Sequence, residues 1–559
     1  MKKLINDPRK VVQEMLEGLV AITPGIALLE GETVVVRADA PLADEVALIA
    51  GGGAGHEPAH AGYVGPGMLT AAVSGDVFTS PATDAVLAAI RAVSGPKGAL
   101  LIVKNYTGDR LNFGLAAELA RADGIPVEMV IVDDDVALAA DGLHAGRRGI
   151  AGVVLVHKLA GAAAATGLSL PEVKRVAEAA IADLGSMGVA LTPCTVPAAG
   201  RPGFSLGDDE MELGLGIHGE AGVRRARITS VDTIVDELLR RIVADRGIVA
   251  GDQVALLVNG LGGTPAMELA IVARGAVAWL QRNGIGVARA WSGSFLTALE
   301  MAGCSLTLLR VTDERLSYLD APALTSAWPA VPSGPARLRH VRAAAPASVR
   351  GAGTSGRLGG VLHAVCVALR QAEHRLTALD QAVGDGDLGI SLARGAEAIE
   401  QAMPDLDLAS PAATLRALSA TLLRALGGTS GPLYAAFLLR AATVFGEKTD
   451  LGPSDWAAAL QAGIDAVTEL GGAQPGDCTM IDALHPASEA LQTALAAEEP
   501  IGEALFRAVT AARDGTARTA DMVARRGRSS YLGRRALGHP DPGAEAVVVW
   551  LEAVRNAVG

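Results

Sequence analysis

Leu379-Asp380-Gln381-Ala382-Val383-Gly384-Asp385-Gly386-Asp387-Leu388-Gly389 sets three carboxylates within eight residues, spaced by glycines and with no lysine or arginine among them. Carboxylates this close repel one another unless a cation lies between them, and their oxygens suit a hard ion such as Mg2+ or Ca2+. A Ca2+ hand needs glutamate at its twelfth position, yet counting from Asp385 reaches Ala396 and counting from Asp380 reaches Ser391. The stretch therefore reads as an open Mg2+ site able to hold phosphate. Taken alone, a solvated acidic turn is the plainer reading, so its surroundings decide.

Those surroundings are helical. Apolar residues recur with helical period over 358–378, 391–403, 412–426, 433–445, 455–470, 487–497, 502–514, 516–526 and 544–557, and strand patterns are almost absent. The expectation from about 356 onward is an all-α domain of about eight helices. Its glycine-rich connections, 426–434, 471–480 and 537–544, carry the polar residues. Thr429 and Ser430 enter a helix there and can offer hydroxyl and N–H donors to a phosphate. Each connection alone could be a plain helix cap. Three of them beside a carboxylate cluster point to a nucleotide-phosphate site.

Upstream the pattern changes. Residues 320–355 are rich in Pro, Ala, Gly and Ser, with a basic patch at 337–342, and read as a linker, with its core at 331–355. Before it, short β-branched runs (33–36, 46–49, 99–103, 127–132, 153–156, 253–258 and 306–311) alternate with helical stretches (82–93, 115–122, 171–184 and 264–282). This alternation predicts an α/β domain over 1–330 with a largely parallel sheet, whose ligands sit off the carboxyl ends of the strands.

Three loops there draw attention. Ile49-Ala50-Gly51-Gly52-Gly53-Ala54-Gly55-His56 puts glycines directly after a strand, where backbone can approach a ligand, and is neither a Walker loop nor a dinucleotide fingerprint. Lys104 to Arg110 sets Lys104 and Asp109 at the end of a buried strand, where they must find partners or line a pocket. Gly214 to Glu220 holds His218 among glycines that fix its backbone.

At 559 residues the chain exceeds one core, and two to four domains are expected. Half its residues are hydrophobic but only 3% aromatic, so Ala, Leu and Val supply the cores. A net charge of −13 argues against nucleic acid or an anionic membrane as partner. Four scattered cysteines form no metal spacing and suit a reducing compartment. The acidic start at Asp7 does not read as a signal peptide, and the most apolar run, 149–170, is broken by His157 and Lys158. The expected place is the cytoplasm.

Taken together, the quoted motifs resemble single-chain, ATP-dependent dihydroxyacetone kinases over nearly the whole chain. Residues 51–63, 104–113, 216–220 and 259–264 resemble the family's substrate-binding domain, and 379–389, 427–434, 476–484, 529–533 and 538–544 its nucleotide-binding domain. The resemblance implies a two-lobed α/β domain followed by an eight-helix barrel. It implies that His218 adds to the substrate carbonyl as a hemiaminal, that Asp109 accepts the hydroxyl proton, and that His56 hydrogen-bonds and polarises nearby. It places substrate contacts at Gly53, Ala54, Gly55, His56, Lys104 and Asp109. Asp380, Asp385 and Asp387 match ligands of two Mg2+ ions that clamp ATP. Nucleotide contacts fall at Asp387, Leu388, Gly389, Ile390, Thr429, Ser430, Gly431, Gly471, Thr479, Met480, Asp541, Pro542 and Gly543. A homodimer follows by the same likeness, one subunit's nucleotide domain facing the other's substrate domain.

The chain departs from the family pattern at Leu388, Cys478, Arg534, Ala221 and Asn259-Gly260, none of them an aspartate of the cluster or an inferred catalytic position. Dihydroxyacetone is the leading ketose, with glyceraldehyde and erythrulose as rivals. An FAD-cyclising lyase using the helical domain, and a non-enzymatic sugar sensor, are the alternatives of other classes.

Overall fold

The computed structural model describes residues 2–138, 146–220, 222–329, 338–341, 357–446, 448 and 450–559. The chain divides into two compact units, Met1–Val341 and Arg342–Gly559. Apart from 338–341, the expected linker at 331–355 lies outside the described residues, as do Ala221 and the ends of the basic patch.

In the first unit the elements run α1 (Val11–Ile22), β1 (Ile26–Leu28), β2 (Val34–Arg37), β3 (Ala47–Ala54), β4 (Ala71–Val77), α2 (Thr83–Val93), β5 (Ala99–Lys104), α3 (Thr107–Ala122) and β6 (Val127–Val132). There follow α4 (Val153–Ala165), α5 (Leu170–Ala182), β7 (Leu184–Ala190), β8 (Glu210–Leu213), β9 (Arg224–Arg227), α6 (Val231–Arg246), β10 (Gln253–Gly260), α7 (Ala266–Arg282), β11 (Gly286–Gly293), β12 (Gly303–Arg310) and α8 (Asp313–Asp320).

The strands form two six-stranded sheets, ordered β1-β2-β4-β3-β5-β6 and β11-β10-β12-β7-β8-β9. In the first, β4, β3, β5 and β6 are parallel, as expected, and the alternation of the strands sorts the core. Leu48 and Ala50 pack with α4 and α5, whereas Ala47 and Ile49 pack with α2 and α3. Covered on both faces, these strands have no need of polar alternation.

The second sheet corrects the expectation of a largely parallel one. Only β10 and β11 run parallel; β12, β7, β8 and β9 are antiparallel to their neighbours. Strands β4, β7 and β11 hold Gly, Ala and Ser where β-branched residues are the usual signal, so burial rather than propensity makes them strands.

The strand expected at 153–156 is instead the start of α4. An apolar run this short cannot be told from buried helix by periodicity; the Ala-rich continuation to Ala165 decides it. Just before the helix, the Asp134 carboxylate accepts the N–H groups of Ile150 and Gly152 at 2.8 and 2.9 Å, a negative charge where the helix dipole favours one. His157 and Lys158 are wholly buried on α4.

The second unit holds α9 (Arg357–Gln371), α10 (Glu373–Val383), α11 (Leu388–Ala402), α12 (Pro411–Ala425), α13 (Ser430–Phe445), α14 (Pro453–Gly471), α15 (Ile481–Ala496), α16 (Ile501–Thr519) and α17 (Pro542–Val558). Only Ala372 separates α9 from α10, and its N–H still bonds the carbonyl of Ala368. Neighbour packing closes a ring: α9 on α11, then α12, α13, α14, α15, α16 and α17, which returns to α9. This is the eight-helix barrel, with α10 continuing α9 against α11 and α17.

Two helix boundaries differ from the periodic reading. The helix at 487 begins at Ile481, with Pro486 inside it. Proline cannot bond the carbonyl of Asp482, and that carbonyl lies against Gly515, where a Cβ would meet it at 2.0 Å. Gly515 is therefore a packing residue rather than a break, and α16 runs through it to Thr519, ending the helix expected over 516–526.

Candidate functional site

The first unit gathers its chemistry where β3 and β5 end. Gly52 has φ of +152°, and a Cβ there would sit 2.5 Å from Lys104 Nζ and 3.6 Å from Asp109 Oδ2. The space over Gly52 is thus faced by an ammonium and a carboxylate, and only glycine leaves it open. Gly53 is equally constrained, its missing Cβ lying 2.5 Å from the backbone N of Thr79. Asp109 is in the first turn of α3, and Lys104 and Asp109 are both buried.

His56 is fully buried, with Nδ1 2.7 Å from the carbonyl of Thr297. A carbonyl only accepts, so Nδ1 carries the hydrogen and Nε2 is left with its lone pair, without a partner among the described residues. Burial first, then the neighbouring His218 and Lys104, hold its pKa well below the ordinary value. His56 is therefore a neutral acceptor.

His218 packs edge-on against three rings: Tyr106 at 4.7 Å, His56 at 4.9 Å and Phe78 at 5.2 Å between centroids. Its Nδ1 lies 2.8 Å from Glu220 Oε1, and its backbone N–H donates to Glu220 Oε2 at 3.0 Å. Burial alone would raise the Glu220 pKa, but the hydrogen bonds and charge of His218 bring it down to about 2. An ionised Glu220 fixes the hydrogen on Nδ1 and leaves the lone pair on Nε2. Behind the loop, Arg148 donates to Asp135 Oδ2 at 2.8 Å and to the carbonyl of Gly214 at 2.6 Å, anchoring 214–220.

The second unit gathers its polar groups on one rim. Successive helices joined by short loops alternate in direction, so every second connection of the ring falls at the same end. Asp380 in the last turn of α10, Asp385, and Asp387 at the N-cap of α11 bring ligand oxygens within 4.8 Å of one another. Asp380 Oδ2 also accepts the N–H groups of Asp387 and Leu388 at 2.9 and 3.1 Å, pinning the loop. A donor set made wholly of carboxylates fits a hard divalent cation.

Around it stand the other expected residues. Thr429 is the N-cap of α13, and Ser430 and Gly431 form its first turn. Leu388 is partly buried against the helical core, Gly389 lies flat on Thr377, and Ile390 is exposed. Thr479 and Met480 precede α15, in a loop tied by Asp482, whose oxygens accept from Gly476 at 2.5 Å and Thr479 at 2.9 Å. Asp541 caps α17, accepting from Ala544 at 2.8 Å, with Pro542 at its first position; a Cβ on Gly543 would lie 3.5 Å from Met480 Cβ. Gly471 ends α14.

Several residues of these sites carried no signal of their own in the sequence. Arg394 on α11 donates to the carbonyl of Ala425 at 2.8 Å and to Ser391 Oγ at 3.4 Å, beside Gly427. Arg526 lies over Gly472. Phe78, Tyr106 and Glu220 frame His218. Arg394, Arg526 and Phe78 follow no motif and are brought in by tertiary packing; Tyr106 and Glu220 lie within the quoted stretches 104–113 and 216–220, Glu220 only two residues from His218.

Asp541 supplies a test of pH. Burial first, then the negative charges of Asp482 and Asp380, push its pKa from 3.8 to about 7. A carboxyl whose pKa is higher in the folded state binds protons more tightly there, so metal-free stability falls as pH rises from about 4 to about 7. Asp541→Asn keeps the helix cap and removes the charge. In chelator without nucleotide, the variant is expected to exceed the wild type at pH 8 by on the order of 1–2 kcal/mol and to match it near pH 4. Urea midpoints at the two pH values measure this; an equal difference at both would overturn it.

Comparison with known proteins places the chain. Residues 17–327 match the Dak1 domain and 382–556 the DAK2 domain. The chain is 45% identical over 570 residues to human triokinase/FMN cyclase, covering 99% of this chain and 98% of that protein. It is 39% identical to L-erythrulose 1-kinase of Mycolicibacterium smegmatis, covering 99% of both. The crystal structure of the dihydroxyacetone kinase from C. freundii with AMP-PNP and Mg2+ aligns over 99% of both chains, with TM-score 0.63 and 36% identity.

Proposed function

The chain belongs to the family of single-chain dihydroxyacetone kinases built from Dak1 and DAK2 domains, and on that premise we propose that it phosphorylates the terminal hydroxyl of a small ketose with ATP, dihydroxyacetone first. The observation that carries the reading is the Glu220–His218 pair, which frees Nε2 for attack, in the unit where Lys104 and Asp109 face one small space.

In the proposed sequence His218 Nε2 bonds the carbonyl carbon, and the C=O π pair moves to oxygen. The carboxylate of Glu220 offsets the charge left on the ring, and the Lys104 ammonium offsets charge on substrate oxygen. Gly53, Ala54 and Gly55 shape the wall, and His56 Nε2 accepts a substrate hydroxyl hydrogen. Asp109 takes the proton of the terminal hydroxyl as its oxygen bonds the γ-phosphorus and ADP leaves. A polyol has no carbonyl and cannot form the adduct, so glycerol is rejected.

Asp380, Asp385 and Asp387 are proposed to hold Mg2+, two ions by family likeness, and the metal supplies charge that offsets the ATP phosphates. Thr429, Ser430, Gly431, Gly471, Thr479, Met480, Asp541, Pro542 and Gly543 are the proposed nucleotide contacts, with Asp387 to Ile390 beside the phosphates. Arg394 and Arg526 supply local positive potential in a chain of net charge −13. We place the enzyme in the cytoplasm as a homodimer; among the described residues no helix is long and apolar enough to cross a membrane.

ADP release with Mg2+ and dihydroxyacetone, glyceraldehyde, D- and L-erythrulose and glycerol tests the proposal. Turnover is expected on a ketose and none on glycerol; no ADP from any carbonyl would sink it. The erythrulose arm decides whether this chain follows the mycobacterial relative. The likeness to triokinase/FMN cyclase favours a second reading on the helical unit alone, cleavage of FAD to AMP and a cyclic flavin phosphate. Chromatography of FAD incubated with the His218→Ala variant tests that reading separately.

A further inference from the structure

Behind the substrate pocket Lys104 heads a line of buried nitrogens, and the two that follow it, on His60 and His157, have no place in the chemistry above. Lys104 Nζ lies 2.8 Å from His60 Nε2 and 3.3 Å from the carbonyl of Gly51. His60 Nδ1 in turn lies 3.0 Å from His157 Nε2, and the two rings meet edge to face at 5.2 Å. Lys104 and His157 are sealed from solvent and His60 nearly so. His157 Nδ1 has no partner among the described residues.

An ammonium has three hydrogens and no lone pair, so its contact with His60 requires the lone pair on Nε2 and the hydrogen on Nδ1. That hydrogen is donated to His157 Nε2, which must then carry its own hydrogen on Nδ1. One charge thus sets two tautomers in series. The reverse arrangement needs a neutral Lys104; burial lowers the lysine's pKa in that direction, and the carboxylates of Asp109 and Asp134 act against it. Neither histidine can share the load as a cation: burial, then the charge of Lys104, keeps both well below the ordinary imidazole pKa, His157 at about 3.

We propose that His60, held by His157, is a positioning residue for Lys104: it takes one ammonium hydrogen, the Gly51 carbonyl takes another, and the third is directed into the space over Gly52. Without His60 the ammonium loses an acceptor inside a dry core and swings toward Asp109. The substrate oxygen then meets a misdirected donor, and the proton acceptor is occupied by an ion pair. The inference rests on the ketose pocket proposed above.

Calorimetric binding of dihydroxyacetone to the full chain without nucleotide tests it, using wild type, His60→Gln and His60→Leu. The glutamine amide oxygen can replace Nε2 as acceptor; leucine cannot. The dissociation constant is expected to rise about tenfold or more in His60→Leu and to stay within about threefold of wild type in His60→Gln. Equal affinity in wild type and His60→Leu, or equal losses in both folded variants, overturns the positioning role. Absence of binding to wild type instead overturns the pocket itself.

A readout on unmodified protein stands even where His60→Leu does not fold. Hydrogen–deuterium exchange at the imidazole C2 atom, followed by mass spectrometry, reports each histidine's titration. The groups facing His60 are Lys104, His157 and His56, with Asp109 and Asp134 behind Lys104. No titration of His60 or His157 is expected between pH 6 and 9, and a titration of His60 within that window refutes the assignment.

Discussion

His218→Ala is expected to lower kcat/KM for ketose phosphorylation by about a thousandfold or more, since it removes both the covalent anchor and the orientation it gives the attacking hydroxyl. The loss is selective. The variant keeps its Mg2+-dependent nucleotide binding, because that chemistry lies in the helical unit. Its preference for dihydroxyacetone over glycerol also collapses, since without the adduct both are simply small polyhydroxy compounds of similar size. The ring is enclosed by Phe78, Tyr106 and His56 but its side chain remains 21% exposed, so the thermal midpoint is expected to stay near that of the wild type. Steady-state rates on both substrates with a melting curve check this. Phosphorylation within tenfold of wild type would show that the carbonyl adduct is not what selects the substrate.

Asp385→Asn carries the second large effect, and its sign reverses with metal. Unit charges 4.8 Å apart in water repel by about 1 kcal/mol, and three carboxylates crowd that distance. Without a divalent ion the variant is relieved of part of this repulsion and is expected to melt higher than the wild type. With Mg2+ the order inverts, because the wild type gains binding free energy that the variant has largely lost. Kinase turnover at fixed Mg2+ is expected to fall by about a hundredfold or more. Scanning calorimetry with chelator and with Mg2+ reads the inversion. A variant stabilised by Mg2+ as strongly as the wild type would remove Asp385 from the metal site. The same change at Asp380 would also disturb the two backbone N–H groups that its carboxylate accepts.

Much of this was legible along the chain, and the physical reasons differ by region. Helices α11 to α14 and α17 announce themselves because each buries one stripe, and in α11 to α14 a glycine or proline follows within two residues of the helix end. The β3 strand and its glycines are readable for a related reason: Ile49 and Ala50 are apolar on both faces, and the abrupt change to Gly51 marks where the backbone must approach something else. The 153–156 run was misjudged because four apolar residues fit either periodicity, and the evidence for helix lies in the small residues that follow. The antiparallel arrangement of β7, β8, β9 and β12 was hidden, since strands carrying Gly185, Gly188 and Ser186 owe their state to burial between layers.

The same division holds at the sites. The carboxylates of Asp380, Asp385 and Asp387 could be found because their mutual repulsion is visible in local sequence. His218, Asp109 and His56 acquire roles from family likeness, not from spacing. The partners that govern them come from distant segments: Thr297 sets the His56 tautomer, Arg148 anchors the loop of His218, and His157 on α4 reaches Lys104 through His60. Long-range contacts of this kind leave no periodicity behind.

Closure of the helical ring has a consequence for the order in which the protein becomes competent during synthesis. Helices α11 to α16 each meet a neighbour that has just been made, so their packing can proceed as the chain emerges. Only α17 must travel back, to seat against α9. It also carries Asp541 and Gly543, which complete the rim beside Met480. Until α17 is seated the chain therefore presents a row of packed helices with an apolar seam, and the rim shared by the proposed nucleotide contacts is incomplete.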